Sequence, residues 1–192
     1  VTMHVIRHAD CRPTPWKNGG GVTTEIIAWP PAAGFDEFDW RISMAQVAAG
    51  GPFSVFPGID RTLTVLEGVM RLEAGDAAPA VLDPQSGPYA FPGDVATAAT
   101  LIEGPVLDFN VMTRRGRFGH EVRRLQLAAP GELAIESGAC LVFVEAGAAN
   151  VANGAGSIRI GRFDALHVEG PAVLAIEPAE RARILQVTIA PS

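Results

Sequence analysis

The 192-residue sequence predicts an all-β fold with little or no helix. Three observations carry that prediction. Short apolar runs recur along the whole chain, many of them alternating with period two. Turn residues separate them, with 21 glycines and 15 prolines spread rather than clustered, as many short elements joined by tight turns require. No segment sustains a 3.6-residue apolar period, so helices are expected to be absent or single turns.

Taken in order, the first strands expected are 23–29 and 39–47. In the second, Trp40, Ile42 and Met44 alternate with Arg41, Ser43 and Ala45, so one face is apolar and the other carries polar side chains. Strands at 61–66 and 69–72 follow, divided by a turn at Glu67-Gly68. Strands at 95–101 and 106–112 come next, and continuing that alternation puts Asp108, Asn110, Met112 and Arg114 opposite Leu107, Phe109 and Val111. The second half repeats the style at 121–127, 133–136, 140–145, 157–160, 163–168, 172–176 and 184–189. Ser137-Gly138, Asn153-Gly154 and Glu169-Gly170-Pro171 supply its turns. So many short strands need closure or sheet-on-sheet packing to hide their edges. An echo between Leu63-Thr64-Val65-Leu66-Glu67-Gly68 and Leu141-Val142-Phe143-Val144-Glu145-Ala146-Gly147 points to two units, 1–115 and 116–192, tightly fused.

Composition narrows the function. Apolar residues make up 48% and charged residues 19% of the chain, which is ample for a core. Fifteen basic against 21 acidic residues give a net charge of −6. A duplex binder needs a dense patch of phosphate contacts, and the one basic stretch here is Arg114-Arg115-Gly116-Arg117 with Arg123-Arg124. It reads as a solvated strand end and turn, so nucleic acid is not an expected partner. His4, Arg7 and His8 fall where a secretory signal needs an unbroken apolar stretch. No run of about 18 apolar residues occurs. Cys11 and Cys140 are far apart and form no CxxC, which reads as two buried thiols. The expected location is the cytoplasm, with no membrane partner.

Three segments stand out. In the first, Pro15 to Glu25, Trp16-Lys17-Asn18 precede the triplet Gly19-Gly20-Gly21, and Lys17 is the chain's single lysine beside fourteen arginines. Consecutive glycines let backbone approach a ligand closely. No GK[ST] follows them, so the segment is not a P-loop. The second runs from Gly51 through Phe53 and Phe56 to Arg61. The third runs from Asp108 to Arg115. Asp and Asn are depleted in strands, so Asp108 and Asn110 on one face need a reason: either that face meets solvent, or it lines a barrel.

The strings PWKNGGGVTTEI, WRISMAQVAAGGPFSVFPGIDRTLTVLEG and GPVLDFNVMTRR, in this order, resemble the HutD/Ves family over residues 1–125. The resemblance implies a double-cupin fold, two fused jelly-roll-like β-barrels. The pocket would lie in the first, and the second would be structural. It also implies a link to histidine utilisation, with a regulatory rather than enzymatic role. The implied ligand is a small acidic intermediate of that pathway, such as N-formylglutamate or urocanate. The candidate ligand-binding residues are Trp16, Lys17, Asn18, Gly19, Arg41, Ser43, Phe53, Arg61, Asp108, Asn110, Met112 and Arg114.

Metal-dependent cupins supply a His-x-His pair, a Glu a few residues on and a later His. His4, His8, His120 and His167 are scattered and lie in none of the three segments, so no metal and no cofactor is expected. Inward-facing Lys17, Arg41, Arg61 or Arg114 would be costly to bury unpaired and would need Asp108, Glu25 or a ligand anion opposite. A charge-assisted hydrogen bond contributes about 1.5–3 kcal/mol, against about 8 for micromolar affinity. Two cations, an Asn18 or Asn110 amide and a Trp16 or Phe53 wall together reach that range after association costs. The leading reading is therefore a non-catalytic sensor of a small anionic metabolite. The alternative is a metal-independent isomerase or epimerase with Asp108 as base. A third is an interaction module acting as a homodimer.

Overall fold

The computed structural model describes residues 1–34, 37–136, 138–154 and 156–192. Of the turn expected at Ser137-Gly138, Ser137 lies outside the described residues. In chain order the strands are β1 (Thr2–Ile6), β2 (Pro13–Pro15), β3 (Gly21–Trp29), β4 (Trp40–Val47), β5 (Gly51–Pro52), β6 (Ile59–Ala74), β7 (Ala80–Leu82), β8 (Tyr89–Pro92) and β9 (Thr97–Arg114). There follow β10 (Phe118–Leu127), β11 (Gly131–Ile135), β12 (Ala139–Ala146), β13 (Ala148–Ala152), β14 (Ser157–Gly161), β15 (Ala165–Glu169), β16 (Ala172–Pro178) and β17 (Ala182–Pro191). Among the described residues the one helical element is a single 3-10 turn, His8–Asp10.

The strands form two units. One is Arg12–Gly119, with Ser192; the other joins Val1–Cys11 to His120–Pro191. This division differs from the expected 1–115 and 116–192 at the N-terminus. The reason is pairing: β1 runs antiparallel to β15, with Thr2 opposite Glu169 and Ile6 opposite Ala165. Met3 and Val5 then pack on the core of the second unit.

In the first unit the strand order is β2-β3-β4-β9-β6-β7, with β5 added to β9 and β8 to β6. Two pairs of expected strands are fused into the long β6 and β9. Glu67-Gly68 is not a turn: the register of β6 against β9 shifts there, and Gly68 has φ +79. A Cβ at Gly68 would lie 2.7 Å from both the Glu103 and Pro105 carbonyl oxygens. Such a bulge bends a strand without ending it. The core of this unit includes Ala45, Val47, Leu63, Val65, Met70, Leu72 and Phe91, with Trp16, Phe53 and Tyr89 packed against it.

The second unit is a sandwich. Its five-stranded sheet runs β1-β15-β12-β17-β10 and its four-stranded sheet β11-β16-β13-β14. Val142, Val144, Leu166, Val168 and Ile184 from the first sheet meet Leu133, Val151, Ile160, Leu174 and Ile176 from the second. Burying each such side chain stabilises the fold by about 1.5–3 kcal/mol. No helix among the described residues is long and apolar enough to cross a membrane.

Candidate functional site

Pairing across β4, β9, β6 and β8 brings the polar alternation of the sequence onto one surface. Ser43 lies opposite Asn110, Ala45 opposite Asp108 and Arg41 opposite Met112. On the far side of β9, Arg61 lies opposite Met112, Leu63 opposite Asn110 and Val65 opposite Asp108. Arg61 also faces Phe91, and Leu63 faces Tyr89. Directly opposed residues of a sheet share a face, so this row is continuous with the apolar core formed by Ala45, Leu63, Val65 and Phe91. It lines the interior. Arg41, Ser43, Arg61, Asp108 and Asn110 are all buried, Asp108 to 1% exposure. The reverse faces of the same strands are buried as well, through Ile42, Met44, Phe109 and Val111.

Arg61 is the centre of the row. Its stem lies against Gly93, where a Cβ would come 3.2 Å from the Arg61 Cδ. Its guanidinium is caged by three phenyl rings, with centroids at 5.3 Å for Phe53, 5.6 Å for Phe56 and 5.1 Å for Phe91. Cation–π attraction of this kind strengthens as water is excluded. The Arg61 terminal nitrogen donates to Asn110 Oδ1 at 3.0 Å, and the Asn110 amide in turn donates to Asp108. Arg61 Nε is buried with no hydrogen-bond partner. An orphaned donor on a buried cation costs free energy unless something accepts from it.

The two charges perturb each other. Burial pushes the Asp108 carboxyl up to about 7, against the opposing pull of Arg61 and the Asn110 hydrogen bond. Burial likewise lowers Arg61 to about 10, with Asp108 resisting and Arg41 adding to the fall. Both shifts have one cause, a dry interior that disfavours isolated charge. Nearer the edge of the sheet, Arg41 Nε donates to Glu25 Oε2 at 2.7 Å, and the Glu25 side chain is 47% exposed. The row thus deepens from an open carboxylate on β3 to a buried one on β9.

The structure does not gather all the candidates. Trp16, Lys17, Asn18 and Gly19 form the loop between β2 and β3. Trp16 donates from Nε1 to Thr23 Oγ1 at 2.7 Å and packs on the core. Asn18 Oδ1 accepts from the Gly20 amide, Gly19 takes φ +72, and Lys17 is exposed. Gly21, the last of the triplet, has a packing reason, because a Cβ there would lie 2.5 Å from the Gln46 carbonyl oxygen and 2.9 Å from the Trp16 ring. Arg114 turns away and donates to the Phe38 carbonyl at 2.7 Å, with Asp39 at 3.7 Å. Met112 closes the row against Phe38, Phe56 and Ile59.

Phe56, Phe91 and Gly93 were not among the sequence candidates, although Phe53-Ser54-Val55-Phe56 and Phe91-Pro92-Gly93 are visible motifs. A cupin metal centre does not fit this row. Its carboxylates are Asp108 and Glu25, it holds no imidazole, and among the described residues no three His, Cys, Asp or Glu side chains gather as a ligand set.

A profile of the HutD family matches residues 8–186. The chain belongs to the HutD family. Protein Ves of Citrobacter koseri is 42% identical over 123 residues, 62% of this chain and 63% of that protein, so the match spans less than two thirds of the relative. The structure of HutD from Pseudomonas fluorescens SBW25 superposes with a TM-score of 0.83 at 30% identity, covering all of both chains. A conserved protein of unknown function from Pseudomonas aeruginosa PAO1 gives 0.91 at 28% identity, over 98% of this chain and 99% of that one. An oxalate decarboxylase of Bacillus subtilis gives 0.69 at 7% identity, over 96% of this chain and 76% of that one, a likeness of fold alone. The fold of this HutD-family chain is accordingly the all-β double cupin.

Proposed function

We propose that this chain is a metal-free, non-catalytic binding and regulatory protein for a small anionic metabolite, working in the cytoplasm within histidine utilisation. N-formylglutamate and urocanate are the ligands the family membership favours. The observation that carries the reading is Arg61: a buried guanidinium with an unused Nε donor, whose direct polar neighbour is a neutral amide. A ligand carboxylate would satisfy that donor and supply charge-assisted hydrogen bonds of about 1.5–3 kcal/mol each. The phenyl cage would exclude water around them. The HutD relative from Pseudomonas fluorescens is described in a formate condition, which makes formate a natural minimal probe.

The test is a thermal-shift screen with N-formylglutamate, urocanate, glutamate and formate. At least one acid should raise the melting temperature of the wild type and leave Arg61→Met unmoved. A flat response to all four at millimolar concentration overturns the proposal.

One observation favours a second reading. A carboxyl held near neutrality in a dry site, as Asp108 is, suits a general base. A metal-independent isomerase or epimerase acting on a small acid would use it. Turnover of any of these acids, lost in Asp108→Asn, would establish that reading instead.

A further inference from the structure

Resting on the anion-binding reading, we propose that a carboxylate is captured at Arg61 with Asp108 protonated, so that an ionised Asp108 takes up one proton as the anion binds.

The geometry that links them is the Asn110 side chain. Its oxygen accepts from Arg61 and its nitrogen donates to Asp108. An amide has one acceptor end and one donor end, so it sits this way round only while a cation lies on one side and an acceptor on the other. Asp108 is then one amide away from the guanidinium. The surrounding walls are Ala45 from β4, Leu63 and Val65 from β6, and the rings of Phe53, Phe56 and Phe91. Such walls screen charge poorly.

In the free site Arg61 serves the Asp108 carboxyl, while Arg41, close enough to act on Arg61, is paired with Glu25. A ligand carboxylate on Arg61 adds a second negative charge within reach of the guanidinium that Asp108 already faces. Two carboxylates sharing a dry site do not both stay ionised, and one of them takes a proton. Asp108 is the group to take it, being fully enclosed and already pushed up to about 7 by burial. The proton comes from solvent, and no covalent bond is made or broken.

The other charged or titratable groups on this face are few. Arg41 on β4 carries Glu25 of β3 at 2.7 Å. Tyr89 on β8 stands opposite Leu63. Arg114, farther along β9, is turned onto the Phe38 carbonyl. Protons taken up by any of these would persist when Asp108 is replaced, which makes Asp108→Asn the control.

The experiment is formate binding to the whole chain, followed by NMR of labelled formate from about pH 6 to about pH 9, with proton uptake read by electrode in weakly buffered solution. Affinity should be nearly flat below about pH 7 and should weaken by about tenfold per pH unit above it. Uptake should approach one proton per formate on the alkaline side. Asp108→Asn should bind with the same affinity at every pH and take up none. Wild-type binding that is independent of pH, with no proton uptake, overturns the inference and leaves the anion reading standing. Absence of formate binding at every pH removes both. The wild-type proton count decides the matter even if the variant folds poorly.

Discussion

The two units solve the interior of a β fold differently. In the second, β12 turns Cys140, Val142 and Val144 inward against Leu133, Val151, Leu174 and Ile176, and among the described residues the one buried polar side chain on that face is Gln186, opposite Val142. Glu145 sits where the register of β12 against β17 shifts and is paired with Arg124 at 3.1 Å and Arg183 at 2.9 Å. In the first, the equivalent central strands turn Arg41, Ser43, Arg61, Asp108 and Asn110 into the interior. Replacing apolar contacts by imperfectly satisfied charge is destabilising. On the proposed function, the mostly apolar second unit contributes stability and the charged row of the first unit contributes recognition.

That division can be broken at its stable end. Leu174, fully buried in the second unit, should cost about 4 kcal/mol when cut to Ala, read by denaturant unfolding. Formate affinity of the folded protein should be unchanged.

A slightly smaller effect tests the charged unit. Asp108 is raised from 3.8 to about 7 in the folded state, so protonation favours folding. Its stabilising contribution is complete below the unfolded value and is lost as pH rises through about 7. Between about pH 4.5 and about pH 7.5 the wild type should therefore lose on the order of 3 kcal/mol relative to Asp108→Asn. Unfolding curves of both proteins at each pH would show it. A gap that stays constant would mean that Asp108 is not held in a dry site.

Gly21→Ala should destabilise by about 2 kcal/mol, because its methyl would press on the Gln46 carbonyl and the Trp16 ring. Thermal melts suffice to measure that. Smallest of all is Lys17→Gln, expected within about 0.5 kcal/mol of wild type and with formate affinity within about twofold. A large loss of binding there would move the recognition surface from the interior to the loop.

Much of the fold was legible in the residues. The alternation of Arg41 and Ser43 with Trp40 and Ile42, and of Asp108 and Asn110 with Phe109 and Val111, placed β4 and the later half of β9. What alternation could not say is which face is inside, because both faces of these strands are buried and only pairing decides. The strands at Ala148–Ala152 and Gly51–Pro52 were missed for a different reason. Alanine, glycine and proline carry little strand preference, and these segments exist because β16, β14 and β9 pair with them. Glu67-Gly68 misled as a turn signal because a positive-φ glycine serves equally well in a bulge. Of the site, Arg61, Asp108 and Asn110 could be nominated from sequence. The cage around Arg61 could not, since Phe53, Phe56 and Phe91 come from two segments that only the topology brings together. Lys17 drew notice as a rare residue type, and rarity carries no information about burial.

The most direct test is a crystal of the chain grown with urocanate or N-formylglutamate. The account predicts a carboxylate inside the first unit, about 3 Å from the Arg61 guanidinium, with the apolar core of the second unit free of ligand. Ligand density confined to the Lys17 loop or to the second unit, with Arg61 still bonded to Asn110 alone, would contradict it.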